Sequence, residues 1–422
     1  MTVWVLIIIF LALIGTPLFI IISAISLLAF HSIDIDGSAI MIELYRMASA
    51  PTLLAIPLFT FTGYLLAESN ATKRLMNLSS ALFGHFAGGS SIVVLISCAF
   101  FTAFTGASGV TIIALGGLFY PILIKEKYPE GFSLGLMTSS GSLGLLFPPS
   151  LPLILYALVS KTNVDKLFIA GVIPGILIIL IVSFYNIKMA RASQSIKSKF
   201  DFKKVIAAAR EAGWEIPLPF IILTGIYGGI FTVTEAASVA AFYTLFTEVI
   251  IYRDLNFRED VPRIMKDSMI LIGGILIILG MAMGLTNYLI DEQIPMKILA
   301  TMRKFIDNKL MFLMLLNVFL LIVGCMMDIF SAIIVVVPLI VPIAQSFGVD
   351  MVHLGIIFLT NLEIGYSTPP VGINLFIAGS RFNKPIVELY RAVLPFLGLR
   401  LIGLLIITYI PWLSLALVKL LY

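Results

Sequence analysis

The sequence predicts an all-α polytopic membrane protein built from two inverted repeats. Its 422 residues are 60% hydrophobic and only 12% charged, with a mean hydropathy of +1.10. A soluble domain carries roughly twice that charged fraction. Apolar runs of membrane-spanning length recur along the chain, and a block that contains a proline pair occurs once in each half. These observations exclude an ordinary soluble protein and predict roughly ten to thirteen membrane segments.

The apolar runs define the main predicted helices. The opening run, Trp4–Phe30, is too long for a signal peptide and has no basic flank or small-residue cleavage site, so it is expected to remain as one helix. The other runs are Leu167–Tyr185, Ile216–Phe231, Ala236–Tyr252, Met269–Leu289 and Ala392–Leu421.

The proline pairs belong to a duplication of the chain. Leu143–Ile154 resembles Ile364–Leu375, and three landmarks share one offset in the numbering. These three pairs are Pro121 and Pro342, Gly144 and Gly365, and Pro148 and Pro369. Matched Pro/Gly interruptions in the two halves of a membrane protein indicate a transporter binding site.

The duplication sets the predicted domain boundaries. The first repeat is residues 1–187, the second is residues 212–422, and residues 188–211 form the linker. Because the linker is rich in lysine and arginine, it is predicted to be cytoplasmic. An odd number of crossings in each repeat would invert the second copy relative to the first.

Each repeat contains two interrupted segments. Short apolar stretches around a small or polar tip predict re-entrant hairpins at about 92–124 and about 312–345. A broken helix follows each hairpin, at about 132–160 and about 353–380. Proline has no N–H and disfavours helical geometry in the residue before it, so a proline pair interrupts a helix. The helix-breaking residues are Pro148, Pro149, Pro369 and Pro370.

The broken ends supply the predicted binding chemistry. A helix C-terminus leaves carbonyls unpaired, and these, with hydroxyl and carboxylate oxygens, suit a hard cation such as Na⁺, whereas a helix N-terminus attracts anions. The predicted cation ligands are Thr105, Gly106, Ser108 and Gly144 in the first repeat, and Asp328, Ser331, Gly365 and Thr368 in the second. The candidates for binding a substrate carboxylate are Ser150, Ser367 and Asn374.

Carboxylates inside a membrane are costly and therefore point to function. Asp328 and Glu363 lie in the interrupted segments. Asp328 would neutralise a cation or carry a proton, and the two carboxylates keep H⁺ as an alternative to Na⁺. Glu235 has two interpretations, a functional carboxylate or a helix cap. No arginine is expected in the core, and Arg381 is expected to be a cytoplasmic anchor.

Other classes of site find no support in the composition. Cys98 and Cys325 lie in apolar runs and imply no disulfide framework, and the three histidines have no metal-ligand spacing. The net charge of +4 does not indicate nucleic-acid binding, and no phosphate-binding loop with a Gly-Lys-Ser/Thr ending occurs. The chain is predicted not to be an enzyme, with no cofactor and no transition metal.

Several motifs resemble one known family. They are Leu54–Phe59 with Gly63, the Ser108-containing tip, Gly144 with Pro148–Ser150, Pro174-Gly175, Thr232–Ala236, Gly348–Asp350, and Thr368–Gly372 with Asn374-Leu375. With these the chain resembles, over essentially its whole length, the large membrane subunit (DctM-like permease) of tripartite ATP-independent periplasmic (TRAP) transporters. The chain departs from the family pattern at two places. Val233 stands where the family usually has proline, and the first tip reads Thr-Gly-Ala-Ser-Gly where the family more commonly has Ser-Gly-Ser.

The resemblance implies more than composition does. It implies an elevator-type transport domain that moves against a scaffold, and symport of a cation, expected to be Na⁺, with a small organic acid such as a C4-dicarboxylate or a sialic acid. It also implies two partners, a small membrane subunit and a periplasmic solute-binding protein, and a multi-pass position in the lipid bilayer of a bacterial or archaeal inner membrane. The sequence contains neither partner module, so separate proteins are expected.

Two alternatives remain open from the sequence. The first is a self-sufficient Na⁺ or H⁺/organic-anion symporter of similar architecture that needs no binding protein. The second is an intramembrane serine protease with Ser108 as nucleophile and His85 or His353 as base.

Overall fold

The computed structural model describes residues 4, 7–8, 10–11, 14–49, 51–86, 88–192, 201–306 and 308–422. Its regular secondary structure in these ranges is entirely helical. By length and composition, seven of the described helices can cross a membrane, or eight if one bent pair counts as a span. This is fewer than the ten to thirteen segments predicted, because several apolar helices are only 10–17 residues long. The all-helical membrane fold is confirmed.

Nine of the described helices begin in the predicted first repeat, residues 1–187. They are α1 (Leu18–His31), α2 (Ser38–Ala48), α3 (Ala55–Glu68), α4 (Ala71–Phe83), α5 (Gly89–Thr105), α6 (Ser108–Lys125), α7 (Glu130–Ser140), α8 (Leu151–Ser160) and α9 (Val164–Ala192). Helix α10 (Phe202–Glu211) lies in the predicted linker, and residues 193–200 of that linker lie outside the described residues.

Ten of the described helices lie in the predicted second repeat, residues 212–422. They are α11 (Pro217–Tyr227), α12 (Val233–Phe246), α13 (Asp260–Asp291), α14 (Ile294–Met302), α15 (Lys309–Met326), α16 (Ile329–Ser346), α17 (Met351–Gly365), α18 (Ile373–Phe382), α19 (Ile386–Tyr409) and α20 (Trp412–Leu421).

Helix bounds recur at the offset of the sequence repeat. Two pairs of helices start at the same offset as the proline pairs: α6 and α16 start at Ser108 and Ile329, and α7 and α17 start at Glu130 and Met351. Beyond the proline pairs the offset grows by one position, with starts at Leu151 and Ile373, and at Val164 and Ile386. These matching bounds support a duplication. The inversion of the second copy and the cytoplasmic position of the linker stay predictions.

Two apolar runs are interrupted where one helix was predicted. The opening run turns at Ile14 and Gly15, whose φ is +82°, and α1 begins only after Pro17. The last run divides at Pro411 into α19 and α20. Both breaks follow from proline, which removes a backbone donor and clashes with the preceding turn. Hydropathy alone does not reveal such breaks.

The hairpin helices are longer than the half to two thirds of a span expected from the sequence. Helices α5 and α6 have 17 and 18 residues, and α15 and α16 have 18 each. At 1.5 Å per residue these are about 26 Å long. The small and polar residues expected to form the tips are mostly helical, so only Gly106 and Ala107 separate α5 from α6, and only Met327 and Asp328 separate α15 from α16.

The two repeats interlock in the packed core. Helix α7 of the first repeat packs against α19, α6 packs against α18, and α8 packs against α16. The longest described helix, α13, packs against α1, α2 and α3 and also against α16. The hairpins and broken helices of both repeats are thus gathered into one body with α13 beside it.

Arg74 in α4 forms the centre of a buried charge cluster. Its guanidinium contacts three carboxylates: Glu215, Glu248 at 2.8 Å and Asp254 at 2.6 Å. The ring of Tyr252 lies 3.6 Å from the guanidinium carbon. The Glu215 and Glu248 side chains are 2% and 0% exposed. The cluster connects α4 to the segments that flank α11 and α12.

Replacing Arg74 with methionine is expected to destabilise the protein. Burial raises the pKa of Asp254, but hydrogen bonds from Asn70 and Arg74 outweigh this effect and hold that pKa below its usual range, so Asp254 stays ionised. Without Arg74, several buried carboxylates lack a cation, and breaking a buried pair costs about 3–5 kcal/mol. The unfolding temperature in detergent should fall by several degrees, whereas Lys73→Met, at the exposed neighbouring position, should leave it nearly unchanged. Equal values for the two variants would contradict the expectation.

Candidate functional site

Both hairpin tips open onto one cavity of about 520 Å³. The first tip and the start of α6 contribute Gly106–Val110, and the second tip and the start of α16 contribute Asp328–Phe330. The broken helices contribute Leu145, Tyr366, Ile373 and Ile377, and α13 forms a wall with Leu271, Gly274, Ile275 and Ile278. Segments far apart in the sequence therefore meet at one place, with a mostly apolar wall and a few polar groups.

The first tip is shaped by Gly106. Its φ is +64°, in the left-handed region that favours glycine, and a Cβ there would lie 2.6 Å from the Cβ of Leu151. The amide of Gly106 donates to the carbonyl of Thr102 at 2.8 Å and closes α5. Thr105 and Ser108, on either side of the tip, are both buried. The tip is therefore held against the start of α8, where the first broken helix resumes.

Hydroxyl groups join the first tip to both broken helices. Ser108 donates to Oδ1 of Asn374 at 2.7 Å and so connects the tip to α18 of the other repeat. Thr102 donates to the carbonyl of Gly141 at 2.7 Å, and its Oγ1 lies 2.6 Å from Oγ1 of Thr111. The hairpin, its own broken helix and the second broken helix are thus bound together at this end.

The second tip carries a carboxylate that caps a helix. Oδ1 of Asp328 accepts hydrogen bonds from the amides of Phe330 and Ser331, each at 3.0 Å, at the N-terminus of α16. The amide of Ile329 donates to the hydroxyl of Tyr366 in the second broken helix. Within the described ranges Oδ2 of Asp328 has no hydrogen bond, and the half-buried side chain lines the cavity. One oxygen of this carboxylate is therefore available to a ligand.

Both broken helices are interrupted at their proline pairs. After α7 the chain forms a 3₁₀ turn, Leu143–Leu146, and resumes as α8 after Pro148 and Pro149, with a bend of 48°. After α17 it passes Pro369 and Pro370 and resumes as α18. The Pro148–Pro149 and Pro369–Pro370 peptide bonds are both cis.

The two site glycines pack in the same way. A Cβ on Gly144 would lie 2.2 Å from the carbonyl oxygen of Ala99 and 2.5 Å from the nitrogen of Ala103, both in α5. A Cβ on Gly365 would lie 2.5 Å from the carbonyl carbon of Gly324 in α15. Each broken helix thus touches the backbone of the hairpin in its own repeat, and only glycine permits this approach.

The predicted cation ligands fall into two groups. Gly106, Ser108 and Asp328 line the cavity. The others lie beside the tips and breaks without lining it: Thr105, Gly144, Ser331, Gly365 and Thr368. The carbonyls of Gly144 and Gly365 each accept one hydrogen bond, from Phe147 at 3.0 Å and from Thr368 at 2.9 Å. A carbonyl oxygen has a second lone pair, which remains for a cation.

The predicted substrate ligands are fully buried and do not line the cavity. Ser150 stands at the N-terminus of α8, and its hydroxyl has no partner in the described part of the chain. Asn374 accepts from Ser108, but its amide nitrogen has no partner among the described residues. Ser367 donates weakly to the carbonyl of Thr138, at 3.5 Å. Ser150 and Asn374 thus have unused hydrogen-bonding capacity beside the cavity.

The expectation of a core without arginine is wrong. Arg400 in α19 is 1% exposed and lies 3.1 Å from Oε2 of Glu363, which is fully buried. The sequence carried a signal, since Arg400 is a charge inside the apolar run Ala392–Leu421. Glu235 proves to be a helix cap, because Thr232 and Glu235 form a reciprocal capping box at the start of α12.

The geometry does not support a protease. Ser108 is hydrogen-bonded to Asn374, and the ring of His353 is bonded instead to Ser414 at 3.1 Å and to the carbonyl of Thr408 at 3.2 Å. The ring of His85 packs on Phe86 with a centroid distance of 3.9 Å. A nucleophilic serine needs a base within hydrogen-bond reach, and neither histidine is bonded to Ser108.

Comparison with known proteins finds relatives among transporter permease proteins. The chain is 38% identical over 381 residues to the C4-dicarboxylate TRAP transporter large permease protein DctM of Pseudomonas aeruginosa, covering 90% of this chain and 89% of that protein. It is 33% identical over 374 residues to the sialic acid TRAP transporter large permease protein SiaM of Vibrio cholerae, covering 87% and 86%. The crystal structure of the Alcanivorax borkumensis YdaH transporter superposes with a TM-score of 0.63 at 13% identity, covering 89% of this chain and 87% of that one, and shows a shared fold.

The family model of the tripartite ATP-independent periplasmic transporter DctM component matches residues 2–413. The match includes both hairpins, both broken helices and the cavity between them. Such proteins are transporter permease subunits, which are not enzymes. The chain therefore belongs to the family of the DctM component of tripartite ATP-independent periplasmic transporters.

Proposed function

We propose that this large permease subunit imports a small organic acid, of the C4-dicarboxylate or sialic-acid type, by Na⁺ symport. The observation that carries the proposal is the convergence of two hairpin tips and two broken helices on one cavity. Substrate and coupling-ion sites of secondary transporters lie between repeats, at interrupted helices of this kind.

Two cation sites of unequal charge follow from the two tips. The first would use the hydroxyls of Thr105 and Ser108 and the carbonyls of Gly106 and Gly144, without a formal charge. The second would add the Asp328 carboxylate to Ser331, Thr368 and the Gly365 carbonyl. All-oxygen sites of neutral groups with at most one carboxylate suit a hard monovalent cation. The free oxygen of Asp328 also keeps H⁺ as the alternative coupling ion.

The substrate site would lie at the N-termini of the resumed half-helices. Ser150 at the start of α8 and Asn374 in the first turn of α18 have unused hydrogen-bonding capacity, and a helix N-terminus adds partial positive charge. A carboxylate fits both features. The names of the relatives above, which specify C4-dicarboxylate and sialic acid, are consistent with such a substrate.

The partners follow from family membership. Membership implies a small membrane subunit and a periplasmic solute-binding protein, and it implies the inner membrane of a bacterium. Within the chain, we propose that the hairpins and broken helices move as an elevator-type block against a scaffold that includes α13. Helix α13 packs on α1, α2 and α3 and also forms a wall of the cavity, which supports this division.

The experiment is uptake into liposomes that contain this chain and its small subunit. Uptake of labelled succinate and labelled sialic acid is measured with and without the binding protein, first under a Na⁺ gradient alone and then under a pH gradient alone. We expect uptake of one substrate only when both the binding protein and the Na⁺ gradient are present.

Other outcomes would distinguish the alternatives. Uptake without the binding protein would favour a self-sufficient symporter, and uptake under the pH gradient alone would favour H⁺ coupling. Binding-protein-dependent uptake that ignores both gradients would contradict the symport proposal.

A further inference from the structure

Arg400 connects the two broken helices through the core. Its Nη1 donates to the carbonyl of Ser139 at 2.9 Å, and its Nη2 donates to Oγ of Ser142 and to Oε2 of Glu363, each at 3.1 Å. Ser142 in turn donates to the carbonyl of Glu363 at 3.2 Å. One side chain from α19 thus binds the end of the first broken helix and the second broken helix together.

Ser142 and Glu363, which both accept hydrogen bonds from Arg400, occupy equivalent positions in the two repeats. Ser142 and Glu363 are separated by the offset of the duplication, and each stands two positions before its site glycine, Gly144 or Gly365. The Ser142–Glu363 hydrogen bond is therefore a contact between corresponding positions, where the repeats meet. Arg400 therefore holds together the two segments, at Ser142 and at Glu363, that lead to Gly144 and Gly365 of the two proposed cation sites.

Stability alone does not account for this arginine. Nε of Arg400 and Oε1 of Glu363 are buried and have no partner among the described residues, so the pair is incompletely satisfied. A buried ion pair of this kind is weak evidence for stability, since apolar residues of similar volume often serve as well or better. At the offset between the starts of α9 and α19 the first repeat has Ile178 in place of Arg400, so a buried apolar side chain occupies the equivalent position.

We propose that Arg400 is a positioning residue that couples the two cation sites. By holding Ser139, Ser142 and Glu363 in one arrangement, it makes the geometry of one broken helix depend on that of the other. Occupation of one site then favours occupation of the second. This inference rests on the proposed Na⁺ symport and adds a cooperative step to it.

The test is equilibrium binding of ²²Na⁺ to the purified complex with the small subunit. Arg400→Lys keeps a positive charge for Glu363 but loses the planar fork that reaches Ser139 and Ser142 at once. We expect a Hill coefficient of at least about 1.4 in the wild type, the value that two sites have at a coupling factor of about 5, and of about 1 in Arg400→Lys. The Na⁺ concentration for half-saturation should rise at least about twofold, the square root of that coupling factor.

Two further variants separate positioning from folding. Arg391→Met removes an exposed arginine from the same helix and should keep the wild-type curve. The double variant Arg400→Met, Glu363→Gln removes both charges together, so it should fold with an unfolding temperature close to the wild type and still lose cooperativity. Wild-type cooperativity in either Arg400 variant would overturn the inference while leaving the proposed function intact. Absence of ²²Na⁺ binding by the wild type would overturn the proposed function and this inference with it.

Discussion

Alanine at Gly365 is expected to reduce uptake at least about tenfold, a loss that corresponds to about 1.4 kcal/mol. A Cβ there would lie 2.5 Å and 2.6 Å from two backbone atoms of Gly324, and 2.9 Å from the nitrogen of Cys325. These neighbours are backbone atoms, so no side-chain rotation relieves the contact. Helix α17 must move away from α15, which separates the Gly365 carbonyl from the tip that carries Asp328. Overpacking of this kind costs about 1–3 kcal/mol or more.

The same substitution at Gly144 should have the same effect, because its Cβ would lie 2.2 Å from the carbonyl oxygen of Ala99. The control is Gly398→Ala in α19, where nothing lies within 4 Å of the added Cβ. In that exposed helical position alanine is the better helix former, so stability should be unchanged or slightly higher. Uptake by Gly144→Ala and Gly365→Ala is compared with Gly398→Ala at equal amounts of folded protein. Equal uptake by all three variants would show that the close approaches are not required.

The interrupted helices were the most predictable part of the fold. Proline acts locally, through its missing N–H and its effect on the preceding residue, so Pro148–Pro149 and Pro369–Pro370 could be placed at breaks without any tertiary information. The common offset in the numbering then identified the two breaks as corresponding positions of a duplicated segment. The helix bounds repeat at that offset or one position beyond it. Gly144 and Gly365, the glycines that flank the breaks, were also identifiable from the sequence. Why these positions require glycine was not predictable, because the close approach to α5 and α15 depends on tertiary packing.

The hairpin tips were less predictable because composition does not determine where a helix ends. Residues 108–110 are small or polar yet belong to α6, so the expected tip over 105–110 is only Gly106 and Ala107. A glycine at +64° ends α5, while the side chain of Asp328 caps α16. Two tips of different composition therefore adopt similar bounds by different local means.

The central arginine was missed for a physical reason. Hydropathy averaged over a window hides one charge among many apolar residues, and whether that charge faces lipid or protein depends on packing. Arg400 is tolerated because the ends of both broken helices leave acceptors for it: the Ser139 carbonyl, the Ser142 hydroxyl and the Glu363 carboxylate. Those acceptors converge only after two segments from different halves of the chain have packed together.

Replacing Asp328 with asparagine is expected to raise the Na⁺ concentration for half-maximal uptake at least about tenfold, since loss of a charged ligand in a partly desolvated site costs about 1.5–3 kcal/mol. Asparagine caps a helix about as well as aspartate, so it can still accept from Phe330 and Ser331 and keep α16 in place. Asparagine lacks the negative charge of the carboxylate, whose second oxygen, Oδ2, has no hydrogen bond within the described residues. The variant thus separates the two roles of the side chain.

Asp350→Asn is the matched control for Asp328→Asn. Asp350 caps α17 in the same way, accepting from Val352 at 2.9 Å and His353 at 3.1 Å, but it is exposed and does not line the cavity. Its substitution should leave the Na⁺ dependence of uptake unchanged. If Asp328 were only a cap, both variants would keep the wild-type Na⁺ dependence of uptake. An isolated carboxylate in a membrane costs about 2.5–3.5 kcal/mol, so removing a carboxylate that binds no ligand would stabilise the protein. A carboxylate that binds Na⁺ has this cost offset by the bound ion, so removing it would bring no such gain in stability. Uptake and unfolding temperature measured together on Asp328→Asn therefore decide between a cap and a cation ligand.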